Sequence, residues 1–297
     1  MKTRRLFTAV LMTMVLIHKD DKAVAATTPR TIRRVETSVF IGAGEDIQRY
    51  AESLNGVGLD SETGALFSYT LGLRGMSHYN EGLYWDIRYT EVSGSSRYRG
   101  NTQMGLAALA TTGNKAMSLQ GRLGFVIDGL CGDRSPATFV PYMGLGFHRW
   151  DRNTHQALLP GDSLTYSNGH VGVGLLAAYV LARHWVIAFH ALAGYTFASQ
   201  VSGQEPLLFN TTNGTLPSAT ITEALGDRPY SAFGATVTYL IRRRWQLAFG
   251  VRHAQWGFGG STPLLVSTQT GGVLASVRAP AGTLTETLLT LELSHAL

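Results

Sequence analysis

Histidine is the first residue type in this chain that could carry chemistry, because imidazole exchanges protons near neutral pH and ligates metals. His148, His170 and His190 each lie on the polar face of a different apolar segment. A metal site needs several ligands that converge on one point, whereas single histidines on separate strands are typical of hydrogen-bonded interior side chains. We therefore predict no metal and no cofactor.

The nucleophiles and acids lack the partners that catalysis requires. The single cysteine, Cys131, has no His/Asp pattern beside it. Asp151 and His155 fall on a predicted loop, while Ser294 and His295 are adjacent and point to opposite faces of a strand. The sequence therefore predicts no catalytic residue.

Charged residues recur on the same face as the three histidines. They are Arg74, Asp86, Arg88, Arg122, Asp128, Arg252 and Glu292. Charges that line a narrow interior must be paired or hydrated, so we expect an ion-pair network that fills this interior and fixes the strand register. Two alternatives stay open: a narrow passive pore with an arginine-biased wall that prefers anions, and a surface hydrolase.

Alternation of apolar with small or polar residues defines the elements that carry these side chains. Residues 171–181 and 185–197 are apolar at every second position and flank a very short turn, and residues 233–241 and 245–251 repeat this hairpin. Such segments of about ten residues are the signature of an outer-membrane β-barrel, in which closure satisfies every strand edge. We predict an all-β, closed antiparallel barrel.

A pair of membrane-spanning helices is the alternative for residues 171–197. Arg183 and His184 interrupt this stretch, and a charge near the centre of a spanning helix costs about 2.5–3.5 kcal/mol. The stretch is also rich in glycine and β-branched residues, and β-branched residues favour strands. Strands are the better interpretation.

The strand count follows from parity, because such barrels have short periplasmic turns and long outer loops. We predict ten strands: upward at residues 37–46, 82–92, 138–150, 185–199 and 245–256, and downward at 64–76, 116–128, 165–181, 230–241 and 285–297. Outer loops then cover residues 49–63, 93–115, 151–164, 200–229 and 257–284. Eight or twelve strands are the alternatives, and residues 103–112 are interpreted as a loop or a strand extension.

Tryptophan provides an independent criterion, since aromatic residues form girdles at both membrane interfaces of such barrels. Trp85, Trp185 and Trp245 fall near the starts of upward strands, which predicts the periplasmic girdle. Trp150 and Trp256 fall near the ends of upward strands, which predicts the outer girdle.

The N-terminus has the layout of a secretory signal peptide. Lys2, Arg4 and Arg5 precede an apolar run over residues 6–17, and small residues over 23–26 offer a cleavage site. We assign residues 1–26 to the signal and 27–297 to one barrel domain. The net charge falls from +5 for the whole chain to about +2 for residues 27–297, without a basic stripe, which argues against nucleic-acid binding.

The segment PYMGLGF at residues 141–147 resembles the recurrent upward strand of the small OmpA-like outer-membrane barrels of Gram-negative bacteria. The final strand, TETLLTLELSHAL, is similar to their assembly signals but ends in Leu297 instead of an aromatic residue. The resemblance implies a monomer in the outer membrane with a structural or surface-interaction role. It also implies contact with membrane lipid, lipopolysaccharide and the barrel-assembly machinery.

Overall fold

The structure is a computed structural model of the whole chain. It describes residues 28–54, 57–77, 82–101, 107–128, 136–155, 163–206, 218–241, 244–262, 264–267, 273–277 and 279–297. The predicted signal peptide and Cys131 lie outside these residues, so both assignments stay predictions.

One short helix and fourteen strands occupy the described residues. They are α1 (Thr28–Val35), β1 (Ser38–Leu54), β2 (Val57–Met76), β3 (Leu83–Asn101), β4 (Ala107–Phe125), β5 (Ile127–Asp128), β6 (Ala137–His155), β7 (Ser163–Ala182), β8 (Trp185–Pro206), β9 (Ser218–Ala224), β10 (Pro229–Leu240), β11 (Trp245–Phe258), β12 (Leu264–Ser267), β13 (Val273–Val277) and β14 (Ala281–Ala296).

Ten long antiparallel strands close into a barrel. Strand β1 pairs with both β2 and β14, and β10 pairs with both β8 and β11, so the sheet meets itself. Strand β9 pairs with β8 beyond the point where β10 begins, β5 pairs with β6, and β12 with β13 form a separate hairpin. The prediction of a closed ten-stranded antiparallel barrel is confirmed.

The strand register fixes the width of the barrel. A path of directly paired residues around the sheet starts at Ser38 on β1 and passes through Arg74, Asp86 and finally Leu284. It returns to β1 at Tyr50, which is 12 residues further along the strand than its starting point. With standard strand rise and spacing, this stagger over ten strands corresponds to a tilt of about 40°. A barrel of this size has an interior that side chains can fill.

Alternating burial separates two faces on every long strand. On β1, Ile41 is 64% exposed on the outside, while Phe40 is buried inside. On β6, Met143, Leu145 and Phe147 face outward. Large apolar residues of this kind form an outer belt in the half of the barrel that also contains the short turns after β7 and β10. We call this half the turn end and the opposite half the loop end.

The strands run well beyond this belt, so much of the predicted outer loops is wrong. Strand β1 continues to Leu54 and β3 to Asn101, although loops were predicted from residues 49 and 93. Beyond Ile47 the outward residues of β1 are no longer large and apolar, so the pattern that revealed the strand ends while the ladder continues. Strand β4 begins at Ala107, which confirms a strand extension within residues 103–112.

Helix α1 is an element that sequence analysis missed. It lies inside the turn end, against β2, β6, β7 and β8, and buries Ile32 and Val35 completely. The Gln246 amide donates to the backbone oxygen of Arg34 (3.0 Å), and Arg33 forms an ion pair with Asp128. No helix within the described residues is both long enough and apolar enough to cross a membrane.

Candidate functional site

The interior of the barrel is the candidate site, because almost all buried charge lies there. Its side chains form three layers: an ionic layer above α1, a histidine layer at mid-height, and an aromatic layer near the loop end. The ionic layer contains most of the charged residues predicted from alternation. The histidine layer contains Arg252 together with the predicted histidines.

The ionic layer is organised around the Phe40 ring. The guanidinium carbons of Arg74 and Arg88 lie 5.1 and 4.8 Å from its centroid, within the range of cation–π attraction. Arg74 Nε donates to Ser38 Oγ (2.9 Å), and Arg88 Nη1 lies 3.3 Å from Glu292 Oε1. The two arginines are therefore held by a ring, a hydroxyl and a carboxylate.

Asp86 stands between Arg74 and a third arginine of this layer, Arg122. In the sheet register it is directly opposite Arg74 on β2 and Arg122 on β4. Arg122 also lies over the Tyr142 ring, 5.3 Å from its centroid. Glu36, between α1 and β1, is 3.9 Å from Arg74, and burial raises the pKa of this carboxyl although the guanidinium opposes the shift.

The histidine layer is held by ring packing. His148 stacks on Trp256 at 4.4 Å, and His170 contacts Trp256 edge-on at 5.0 Å and Tyr230 at 4.4 Å. His190 lies over Gly234, where an added Cβ would approach the imidazole to 2.5 Å. We expected hydrogen-bonded histidines, but neither ring nitrogen of His148 has a hydrogen-bond partner among the described residues.

Acidic residues surround a small cavity beside this layer. Glu286 accepts a hydrogen bond from Trp256 Nε1 (2.8 Å) and lies 3.6 Å from His148 Nε2. Asp46 and Arg252 complete the charged wall of an internal cavity of about 20 Å³. That volume holds about one water molecule. Among the described residues, no group of three potential metal ligands is close enough to hold an ion.

The aromatic layer closes the interior near the loop end. Tyr50 and Trp150 meet edge to face at 4.9 Å, Trp150 stacks on Tyr166 at 5.2 Å, and Tyr166 contacts Phe258 at 5.4 Å. Trp150 and Trp256 are completely buried, so the prediction that they form an outer girdle is wrong. Trp150 is an even number of residues from His148, and Trp256 is an even number from Arg252, so each tryptophan lies on the same strand face as a predicted interior residue. This alternation alone would have placed both tryptophans inside.

A second ionic cluster lies beside the aromatic layer, in segments that the sequence assigned to loops. Arg152 Nε lies 2.8 Å from Glu62 Oε2 and Nη1 lies 3.8 Å from Glu52 Oε1. Its guanidinium lies 5.4 and 5.5 Å from the rings of Tyr50 and Tyr98. Both ion pairs are buried. Continuing the alternation past Asp46 would have found Tyr50 and Glu52.

Asn114 links this cluster to the aromatic layer. Its amide nitrogen donates to Glu62 Oε1 (3.0 Å), and its amide oxygen accepts from Trp150 Nε1 (2.7 Å). The tryptophan therefore has a partner for its only donor, which is what a buried indole requires. The two layers form one connected network.

The remaining predicted residues lie at the turn end. Asp128 is opposite the buried Thr138 in the sheet register, accepts from its hydroxyl (2.8 Å) and pairs with Arg33 of α1, so it lies at the mouth of the interior although the residue itself is exposed. Trp85, Trp185 and Trp245 lie on the outer face at the turn end, and their role as a membrane girdle stays a prediction.

The described imidazole–carboxylate pair is buried. His148 and Glu286 pair an imidazole with a carboxylate, but His148 is 1% exposed and lies under Trp256. Asp151, the acid considered for a surface hydrolase, is held by Arg149 (3.0 Å) and accepts from Thr165 Oγ1 (2.7 Å). The side chain of His155 lies outside the described residues.

Comparison with known proteins identifies the fold. Neither the family models nor the curated proteins include a match to this chain. Among solved structures, the outer-membrane protease OmpT of Escherichia coli is similar over 88% of this chain and 97% of its own, at 10% identity and a TM-score of 0.54. The AIDA-I autotransporter transport unit of Escherichia coli (10% identity, 92% and 97% covered, TM-score 0.41) and the NalP translocator domain of Neisseria meningitidis (11%, 94% and 98%, 0.41) also match. The likeness to OmpT shows that this is the fold of an outer-membrane β-barrel.

Proposed function

We propose that this chain is an integral protein of the bacterial outer membrane, with a closed interior and a structural or surface-interaction role. The observation that carries this proposal is that both ends of the interior are filled. Helix α1 occupies the turn end, and the layer of Tyr50, Trp150, Tyr166 and Phe258 occupies the loop end.

The passive pore is the weaker alternative because the interior arginines are engaged. Arg74, Arg88 and Arg152 each lie within 4.0 Å of a carboxylate oxygen, and Arg252 donates to Tyr230 Oη (3.0 Å). An anion that passes through the barrel would have to displace these partners. A pore that prefers anions needs basic groups that are free to meet the ion.

The hydrolase is the third candidate, and only the fold of OmpT favours it. The pair of His148 and Glu286 is buried under Trp256, where a peptide or lipid substrate cannot reach it. The loop-end strand extensions, whose outer face carries polar residues, instead suit a binding role. Segments of this kind tolerate sequence variation because a rigid barrel supports them.

The outer belt provides the test of the membrane location. Ile41→Arg places a charge within the belt, opposite the exposed Leu71 and Leu293 of the two neighbouring strands, whereas Ala51→Arg places the same charge outside the barrel on the same strand, beyond the belt. Arginine facing lipid at mid-bilayer costs about 2–4 kcal/mol. The expected result is an unboiled, faster-migrating form in the outer-membrane fraction, whose conversion temperature on gels falls for Ile41→Arg and stays unchanged for Ala51→Arg.

A protein found in the soluble or inner-membrane fraction would overturn the proposal. Equal behaviour of the two arginine variants would also overturn it, since the belt would then face water. A shift confined to Ile41→Arg with outer-membrane recovery supports it.

A further inference from the structure

Three arginines lie on the outer face of the barrel, on the loop-end side of the apolar belt. Arg49 follows the last large apolar residue of β1, Ile47, by two positions, and Arg97 and Arg99 lie on the loop-end extension of β3. All three side chains are exposed. In a membrane-embedded barrel this side of the belt faces the lipid headgroups and the water beyond them, not the acyl chains.

The sheet register brings the three arginines into one patch across β1, β2 and β3. Arg49 is opposite Thr63, and Thr63 is opposite Arg97; Ser61 is opposite Arg99. Two strand spacings separate the Cα atoms of Arg49 and Arg97 by about 10 Å, and two residues along β3 separate Arg97 from Arg99 by about 7 Å. The exposed hydroxyls of Thr63 and Ser61 lie between the guanidinium groups.

The acidic residues that flank this patch on β1 and β2 point away from it, and the exposed, outward-facing Glu45 lies four residues nearer the turn end than Arg49. Glu52 on β1 and Glu62 on β2 face the interior and pair with Arg152. Within the described residues, Arg49, Arg97 and Arg99 have no ion pair, so their charge is available to a ligand.

Two other outward cations, Lys115 and Arg149, are already paired. Lys115 Nζ lies 3.2 Å from Glu91 Oε1, and Arg149 Nη2 lies 3.0 Å from Asp151 Oδ1. The tyrosines on either side of Glu91, Tyr69 and Tyr89, also donate to it. Among the described residues, Arg49, Arg97 and Arg99 thus form a patch of cations without an ion pair, in contrast to Lys115 and Arg149.

We propose that Arg49, Arg97 and Arg99 bind the phosphate groups of a phosphorylated glycolipid of the outer leaflet, an inference that rests on the proposed function. Guanidinium groups match phosphate oxygens in a bidentate manner, and serine and threonine hydroxyls add neutral donors. Toward the turn end from the patch, Ile47 and Phe67 present exposed apolar surface along which acyl chains would run, with the exposed Glu45 opposite Phe67.

The test is a titration of the purified, folded protein in detergent micelles with diphosphoryl lipid A, followed by native mass spectrometry. The triple variant R49A/R97A/R99A is expected to bind about 100-fold more weakly, and each single variant about fivefold more weakly. Arg183→Ala, which removes an exposed cation at the turn end, is the matched control and is expected to bind like the wild type.

Two further ligands distinguish the source of the phosphate. The wild-type protein is expected to bind lipid A that lacks phosphates with much lower affinity than diphosphoryl lipid A. Inorganic phosphate alone is also expected to bind far more weakly than the diphosphoryl lipid. Tight binding of inorganic phosphate would overturn the assignment to a lipid. The single variants keep the test available if the triple variant does not fold.

Equal affinity of the wild type and a folded triple variant for diphosphoryl lipid A would overturn the inference. The same holds if Arg183→Ala weakens binding as much as the triple variant does. Because membrane location is measured separately by fractionation, a chain that reaches the outer membrane but ignores phosphate would overturn only this inference, not the proposed function.

Discussion

Arg152 is the residue whose removal is expected to destabilise the barrel most through charge. It is buried between Glu62, Glu52 and two tyrosine rings. Removing one partner of a buried ion pair leaves the other charge uncompensated and costs about 3–5 kcal/mol. We expect Arg152→Ala to lower the free energy of unfolding by that amount, measured by denaturant titration of the refolded protein in micelles.

The control for this prediction is Arg149→Ala on the same strand. Its pair with Asp151 is exposed, and such pairs contribute about 0–1 kcal/mol. The double variant Glu62→Ala/Arg152→Ala should lose less than the sum of its single variants, because both charges of the closest pair are removed together. Equal losses for Arg152→Ala and Arg149→Ala would show that the buried network does not hold the loop end.

The prediction of which residues face the interior was correct where it followed the alternation along a strand. It failed where the expected aromatic girdle was given more weight than the alternation. His170 and Arg252 lie inside as their parity indicates. Trp150 and Trp256 have interior parity as well, but the expectation of an aromatic girdle placed them outside. The register is set by the buried face of a strand, so parity is the stronger constraint.

Helix α1 is the element whose contribution can be isolated. Ile32 and Val35, three residues apart, form its buried stripe, while Arg30 on the same helix is exposed. Truncating two buried aliphatic side chains costs several kcal/mol, which exceeds what an eight-residue helix can supply by itself. We expect Ile32→Ala/Val35→Ala to release the helix while the barrel stays folded.

Hydrogen exchange measures this release. The Glu36 amide donates to Ile32 O (2.8 Å), so its exchange should accelerate strongly in the double variant and remain slow in the control Arg30→Ala. Strand amides should keep their protection in both. Slow exchange at Glu36 in the double variant would mean that the helix is not held by its apolar stripe.

The elements differ in how much of them the sequence could predict. The belt segments were predictable because lipid requires apolar residues at every second position, as in Val171, Val173 and Leu175. The loop-end extensions were not predictable. Beyond the belt the outer face can carry either a charged residue such as Arg49 or a neutral one such as Thr63, so no apolar alternation marks the strand. Helix α1 lacks a strong signal because it is too short for periodicity, and only its position inside the barrel stabilises it.

At the scale of the whole molecule, side chains and a helix fill the two ends of the barrel interior. The aromatic layer and helix α1 lie at opposite ends of the interior, and the ionic and histidine layers fill the space between them. A barrel filled in this way is stabilised by side-chain contacts across its interior as well as by its strand ladder. The proposed closed interior leaves the surface as the part available to ligands.

Ion conductance of the refolded wild-type protein in planar lipid bilayers tests the closed interior most directly. We expect the protein to insert, as shown by recovery of the heat-modifiable form from the same vesicles, and to produce no stable current steps. Reproducible open-channel steps from the wild type, above all with a preference for anions, would contradict the closed interior and establish the arginine-lined pore in its place.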